Sequence, residues 1–167
     1  MPDPCPPVER DAFLDAMRQV AATVTVVTTE GASGRVGATV SAFTSLSADP
    51  PSVLVCLRAD SRIARAVVEN GVFCVNILPE DAVEVARAFS GPSPADPADR
   101  FAGLAIAPGR HGPRLPRATA FACTLTGHML HATHAICIGT VEGLTVAGAR
   151  PLTYLRGAYH RLHPHEG

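Results

Sequence analysis

Residues 37–57 read GATVSAFTSLSADPPSVLVCL and carry more specific local chemistry than any other stretch of the chain. Hydroxyl side chains fill the first half, and Asp49-Pro50-Pro51 separates them from an apolar run at residues 52–57. Because neither proline can donate a backbone hydrogen bond, the sequence predicts a break in any β-ladder here, followed by a short strand buried on both faces. Hydroxyls and backbone N–H groups in a loop between two strands suit a planar polar ligand with a phosphate, although a serine-rich connection without a ligand fits the same residues.

Strand patterns lie on both sides of this stretch. Residues 23–29 are almost all β-branched, and glycines separate them from an extended pattern at residues 36–41, which predicts a β-hairpin. The other strand candidates are residues 72–78, 104–107, 118–129, 135–141 and 144–147. No G-x-G-x-x-G follows a strand, and the P-loop, G-x-S-x-G and H-E-x-x-H motifs are missing. Antiparallel strands that close into a barrel therefore fit better than a Rossmann, P-loop, serine-hydrolase or zincin fold.

Three helices are predicted. Residues 9–22 repeat apolar side chains at helical spacing, which indicates an amphipathic helix packed on a core. A second helix is expected over residues 61–69 with Ser61 as its N-cap, and a third over residues 79–89. The Pro/Ser/Ala/Gly segment at residues 90–97 is then either an exposed loop or a lid over a site.

Composition places limits on the partners. The chain of 167 residues is 47% hydrophobic and 17% charged, which predicts one globular domain at residues 9–167 after an extended Pro-rich tail at residues 1–8. Fourteen Lys and Arg residues nearly balance fifteen Asp and Glu residues, so we expect neither nucleic acid nor an anionic membrane as a partner. The N-terminus lacks the basic and apolar regions of a signal peptide, and no apolar run is long enough to cross a membrane, so we expect the protein in the cytoplasm.

The cysteines favour neither a metal site nor a disulfide framework. Five are present, an odd number without C-x-x-C spacing, and Cys56, Cys74 and Cys137 lie inside apolar runs. These features predict buried, reduced thiols that act as small hydrophobic side chains.

Short pieces of sequence follow one another in a recognisable order. They are FLDAM at 13–17, VTVVTT at 24–29, GATVSAF at 37–43, SLS at 45–47, DPP at 49–51, VLVC at 53–56, GVFCVNIL at 71–78, RF at 100–101, GPRL at 112–115, Cys123, HAICIGTV at 134–141 and PLTYLRGAY at 151–159. This order resembles the flavin reductase family of the split-barrel, flavin-binding type, and the resemblance extends over residues 13–162. It implies a mainly β fold, a split antiparallel β-barrel of the Greek-key, FMN-binding type with peripheral α-helices.

The resemblance also implies an activity, that of an NAD(P)H:flavin oxidoreductase. Such an enzyme reduces free FMN or FAD by hydride transfer from NADH or NADPH and supplies the reduced flavin to a partner monooxygenase. A homodimer whose interface helps to build two flavin sites is implied as well. A non-catalytic flavin- or haem-binding split-barrel module is the alternative from another functional class.

Flavin contacts carry over from the family onto several segments. They are Thr39, Val40, Ser41 and Ala42 for the ring edge and ribityl chain, Cys56, Leu57 and Arg58 at the end of the next strand, Ser61 and Arg62 beside the phosphate, and Phe89 and Ser90 near the ring. The phosphate position has independent support, because a helix start presents free N–H groups and Arg58, Arg62 and Arg65 add positive charge. A capped surface helix with solvated arginines is the alternative.

His134 resembles the family histidine near the flavin and the nicotinamide, which implies a catalytic and substrate-binding role, with a structural histidine as the alternative. Tyr159 is a second implied substrate contact, unless it only closes the barrel. Three residues depart from the family pattern: Ala42 and Ile63, where a hydroxyl is common, and Thr133, where an aspartate is common. The first two are expected to loosen flavin binding, and the third to remove an orienting partner of His134.

Overall fold

The computed structural model describes residues 7–91 and 100–165. Its helices and strands, in chain order, are α1 Arg10–Met17, β1 Ala22–Thr23, β2 Thr25–Thr29, β3 Val36–Val40, β4 Phe43–Ala48, β5 Pro51–Arg58, α2 Arg62–Asn70, β6 Val72–Ile77, α3 Val83–Ala88, β7 Thr119–His131, β8 His134–Thr145, β9 Thr153–Leu155 and β10 Ala158–His160. Most of the predicted Pro-rich tail, and the predicted loop or lid from residue 92 onward, lie outside the described residues.

The strands form two antiparallel sheets, which confirms the mainly β fold. The larger sheet has the order β3-β2-β6-β7-β8-β5-β4, and the smaller has the order β1-β9-β10. β3 and β4 are neighbours in the chain but lie at opposite edges of the larger sheet, although only Ser41 and Ala42 separate them. Since three residue steps span at most about 11 Å, the two edges must lie close together. The sheet is therefore strongly curled but not closed, as in a split barrel.

The opening stretch contains a strand that the sequence did not predict. β4 pairs with β5 through Ala48 and Pro51, where we expected a loop and a broken ladder. Proline is tolerated there because Pro51 is the first residue of its strand and need not donate to the ladder. The expectation that this strand is buried on both faces is also wrong. Exposure alternates along β5, because only one of its faces packs into the core.

The β2–β3 hairpin is confirmed, with Thr25 opposite Val40 and Thr29 opposite Val36. Toward the C-terminus the predictions hold less well. Residues 104–107 form no strand and contribute only an isolated bridge from Ala107 to Arg114. The candidates at residues 135–141 and 144–147 are largely one strand, β8, which runs on to Thr145 and pairs with a long β7.

The helix predicted over residues 61–69 is confirmed and runs from Arg62 to Asn70, with Ser61 as its N-cap as expected. Ser61 Oγ accepts the N–H of Ala64 at 3.2 Å, and Gly71 ends the helix at φ 68°, a left-handed conformation that glycine tolerates. α3 is shorter than predicted and begins at Val83, while Glu80 before it donates its N–H to the Arg150 carbonyl at 2.8 Å. A helix needs about 20 predominantly apolar residues to cross a bilayer. No helix in the described part of the chain is long and apolar enough to do so.

α1 corrects the first helix prediction. It ends at Met17 and buries none of its residues, whereas we expected a longer helix packed on the core. Phe13 and Met17 are 54% and 47% exposed. The apolar face of this helix is therefore open to solvent in the single chain.

Two buried clusters hold the fold together. One joins the larger sheet to α2 around Val27, Val55, Val67 and Phe73, and the other lies beneath α3 around Phe89 and its neighbours. Cys74, Cys123 and Cys137 are buried and free, as predicted for the thiols, whereas Cys56 is free but only half-buried and lines the cleft. Burial raises the pKa values of Cys74, Cys123 and Cys137 to about 12, about 12 and about 11. These thiols are therefore protonated and unreactive at neutral pH.

Candidate functional site

A cleft of about 790 Å³ opens where β3, the end of β5 and the start of α2 meet. Its lining residues are Val36, Gly37, Ala38, Thr39, Val40, Ser41, Ala42, Cys56, Leu57, Arg58, Asp60, Ser61, Arg62, Ile63, Arg65, Phe89, Gly91, Arg100 and His134. The volume lies within the range of about 300–1,000 Å³ that is usual for small-molecule sites. The lining combines an apolar wall, hydroxyl groups and a set of arginines, which suits a planar ligand with an anionic group.

The β3 wall holds one hydroxyl that serves the fold and one that is open. Thr39 donates its N–H to the Phe89 carbonyl at 2.9 Å and its hydroxyl to the Ala86 carbonyl at 2.7 Å. These bonds fasten the end of α3 to β3. The exposed Ser41 hydroxyl, in contrast, makes no hydrogen bond within residues 7–91 and 100–165. Ser41 is therefore the hydroxyl of this wall that can bind a ligand.

Gly37 explains the close approach of α3 to the same wall. A Cβ atom at this position would lie 2.6 Å from the Phe89 ring. The Phe89 ring in turn packs edge-on against Phe101, with 5.0 Å between the ring centres. Glycine is thus required where β3, Phe89 and the cleft meet.

The second wall is the end of β5 with the start of α2. Ser61 donates its hydroxyl to the Arg58 carbonyl and accepts from Ala64, so this hydroxyl is committed to capping the helix. The N–H groups of the first turn of α2 and the Arg62 and Arg65 side chains remain to receive an anion. Sequence reasoning assigned Ser61 to the phosphate, but the geometry makes it the residue that shapes this helix end.

Arg58 is engaged by a residue that sequence reasoning missed. Its Nε and Nη2 donate to the two carboxylate oxygens of Asp60 at 3.1 and 2.8 Å. The hydrogen bond and the charge of Asp60 raise the pKa of Arg58, and the hydrogen bond from Arg58 lowers the pKa of Asp60. The sequence offered one signal for this contact, because an acid two residues after an arginine can close such a pair.

Arg100 lies at the floor of the cleft and is buried. It donates to the carbonyls of Phe89 at 2.6 Å and Gly91 at 3.0 Å, with longer contacts to those of Gly37 and Ser90. Burial lowers its pKa, and the charge of Arg62 lowers it further. Arg100 thus holds the chain that follows α3 against β3. Sequence reasoning assigned Arg100 no role beyond its place in the family pattern.

His134 opens β8 at the mouth of the cleft, opposite Arg58 in β5 and His131 in β7. Its Nδ1 lies 3.0 Å from the Thr133 hydroxyl. The expectation that Thr133 leaves His134 without an orienting partner is therefore wrong. The Thr133 carbonyl also accepts the Ala59 N–H at 3.0 Å. This hydrogen bond links the turn before His134 to the end of β5 that carries Arg58.

A family model described as the flavin reductase-like domain matches residues 17–163. The chain belongs to this family. It is 39% identical to the FMN reductase (NADH) RutF of Ancylobacter novellus over 160 residues, which cover 94% of this chain and 87% of that relative. It is 34% identical to the reductase component of the 4-nitrophenol 4-monooxygenase/4-nitrocatechol 2-monooxygenase of Rhodococcus opacus, with 95% and 84% of the two chains covered. BorF, the flavin reductase component of a bacterial two-component tryptophan halogenase, superimposes with a TM-score of 0.84 at 31% identity and covers 92% of this chain and 98% of its own.

Most of the flavin-binding residues expected for a flavin reductase-like chain converge on the cleft. Ser90 and Tyr159 are not among its lining residues. Ser90 donates its hydroxyl to the Ala86 carbonyl at 2.6 Å, and Tyr159 packs against Tyr154 with ring centres 5.2 Å apart. Of the residues that depart from the family pattern, Ala42 lines the cleft without adding a hydroxyl, and Ile63 is buried at its edge. Within the described residues no group of three metal-ligating side chains forms.

Proposed function

We propose that this protein reduces a flavin with a nicotinamide donor and supplies the reduced flavin to a monooxygenase. The observation that carries the proposal is the cleft itself, which joins an open hydroxyl and backbone edge at β3 to a cationic helix start at α2 on the flavin reductase fold. The names of the relatives, FMN reductase (NADH) and monooxygenase reductase component, favour FMN, NADH and an oxygenase partner. Bound flavin supplies a ring that takes up hydride, so the chain needs to position the rings rather than provide a covalent catalyst.

The β3–β4 connection is the proposed binding site for the flavin ring edge and the ribityl chain. Ser41 offers its open hydroxyl, and the backbone of Val40 and Ala42 borders the same part of the cleft. Cys56 and Leu57 supply an apolar surface next to them. Donors aimed at the ring stabilise the extra negative charge of the reduced form.

The start of α2 is the proposed seat of the phosphate. The unpaired N–H groups of its first turn and the positive end of the helix dipole attract an anion. Arg62 and Arg65 lie on the same side, and neither makes an ion pair within the described residues. A phosphate at this position is satisfied by groups that the fold otherwise leaves open to solvent.

His134 is the proposed contact for the nicotinamide. Its Nδ1 is next to the Thr133 hydroxyl, so the opposite nitrogen is available at the mouth of the cleft. There it can orient the donor or hold a proton.

A direct assay tests the proposed reaction. Purified protein is mixed under air with NADH or NADPH and with FMN or FAD, and the absorbance of the nicotinamide is followed. We expect enzyme-dependent loss of donor absorbance, fastest with NADH and FMN. No enzyme-dependent loss with any of the four pairs would contradict the proposal and favour a non-catalytic flavin- or haem-binding module.

A further inference from the structure

Asp60 is the one carboxylate among the described residues that line the cleft. It lies between β5 and α2, directly before the Ser61 cap. Both of its oxygens accept from Arg58, from Nε at 3.1 Å and from Nη2 at 2.8 Å. The planar fork of Arg58 is therefore turned to this carboxylate rather than offered to a ligand.

The charge of Asp60 opposes an anion in the cleft. The hydrogen bond from Arg58 holds the pKa of Asp60 below its usual range, and the charge of Arg65 lowers it further. Asp60 is consequently ionised at neutral pH. Its negative charge sits beside the helix start whose N–H groups and dipole favour an anion.

We propose that Asp60 competes with the flavin phosphate for Arg58 and thereby weakens the hold of the site on the flavin. The proposal rests on the phosphate position proposed above and adds Arg58 to it, because Arg58 lines the same cleft as Arg62 and Arg65. A carboxylate and a phosphate both bind the guanidinium fork through two parallel hydrogen bonds, so only one of them can occupy that edge of Arg58 at a time. The Arg58 and Asp60 side chains are 72% and 70% exposed, and a pair this exposed is weak enough to open and close.

Weak retention suits a protein that passes reduced flavin to a partner. Affinity differences between related sites arise mostly from the dissociation rate, so a built-in competitor for the phosphate speeds release of the flavin. Asp60 is thus a determinant of flavin affinity and not a catalytic residue.

The variant Asp60→Asn tests this role, because it removes the charge at nearly constant size. The dissociation constants of FMN and of riboflavin, which lacks the phosphate, are measured by the change in flavin fluorescence on binding. FMN is expected to bind about three- to tenfold more tightly to the variant, while riboflavin binding stays unchanged. Asp81→Asn is the matched control, since it removes an exposed aspartate that pairs with Arg117 at 2.7 Å and does not line the cleft.

A second substitution tests whether the tighter binding of FMN depends on Arg58. Adding Arg58→Gln to Asp60→Asn is expected to abolish the tighter binding of FMN. Unchanged FMN affinity in Asp60→Asn, equal tightening of FMN and riboflavin, or a gain that survives Arg58→Gln would each overturn the proposal.

The phosphate position has a separate test, the variant Arg62→Ala. If this variant weakens FMN relative to riboflavin but Asp60→Asn has no effect, the competitor role alone fails. If neither variant changes the ratio of the two affinities, the phosphate position itself fails.

Discussion

Thr39, Ser41 and Ser61 all bring a hydroxyl group to the cleft, but their hydrogen bonds differ. Thr39 donates its hydroxyl and its N–H to carbonyls at the end of α3, and Ser61 donates to the Arg58 carbonyl. Both are therefore part of the framework, and they retain no free donor for a ligand. Ser41 keeps an open hydroxyl. Of the hydroxyls predicted near the ring edge, ribityl chain and phosphate, we therefore propose that Ser41 donates to the flavin.

Two variants separate these roles at the level of single residues. Ser41→Ala is expected to weaken FMN binding by roughly tenfold without changing the melting temperature, because one exposed hydrogen bond to the ligand is lost. Thr39→Val is expected to lower the free energy of unfolding by about 1 kcal/mol, because it removes a hydrogen bond that holds α3. Flavin titration and thermal unfolding of both variants check this. A stability loss in Ser41→Ala, or none in Thr39→Val, would contradict the assignment.

At the level of elements, the start of α2 joins stability to anion binding. Ser61 caps the helix by accepting the Ala64 N–H, and Arg62, Ile63 and Arg65 of the first turn line the cleft. Aspartate caps a helix as well as serine does, but it adds a negative charge. The cap and the anion site can therefore be separated by substitution.

Ser61→Ala is expected to cost about 1 kcal/mol of stability through the lost cap. Ser61→Asp should keep the stability near that of the wild type but weaken FMN relative to riboflavin, because its charge repels the phosphate. Thermal unfolding and flavin titration measure the two effects, with Ser45→Ala on exposed β4 as a control. Normal FMN affinity in a stable Ser61→Asp protein would place the phosphate elsewhere.

At the scale of the whole molecule, apolar side chains remain uncovered next to the cleft. Met129 and Leu130 near the tip of the β7–β8 hairpin are 57% and 71% exposed, and the same hairpin carries His134 into the cleft. Neighbouring exposed apolar side chains of this kind are suited to burial in an interface. We therefore propose that this hairpin lies in the interface of a homodimer and that the partner chain borders the flavin site.

Light scattering is expected to give twice the chain mass of 17.4 kDa for the wild-type protein. The double variant Met129→Glu/Leu130→Glu should shift the protein to monomers and weaken flavin binding, because charge on the hairpin is costly to bury. Ser45→Glu on the exposed polar strand β4, which does not line the cleft, serves as the control and should remain dimeric. A dimer that survives the hairpin variant would contradict this interface.

The sequence by itself determined the elements whose signals lie within a few neighbouring residues. The Ser61 cap and the Gly71 stop define α2, and β-branched residues on either side of a glycine connection define the β2–β3 hairpin. The family pattern then named most of the expected flavin-binding residues, which do meet in the cleft, without the geometry that gives each one its role. Tertiary structure decided each role through the hydrogen bonds that the folded chain makes. Thr39 is held by the Ala86 carbonyl far along the chain, whereas Arg58 and Ser61 are held by partners two and three residues away that only the folded loop brings into position.

Residues 37–57 show the same division between what local sequence indicates and what tertiary structure decides. Their side chains indicated a polar ligand site, but pairing with β5 made Phe43–Ala48 a strand, and the curl of the sheet brought its two edges together at Ser41 and Ala42. Strand pairing depends on partners far along the chain, and the serines and threonines of this segment suit a loop and a half-exposed strand equally well. Local sequence could therefore indicate a polar ligand and the family pattern could name a flavin, whereas only the fold could decide which groups remain open to a ligand.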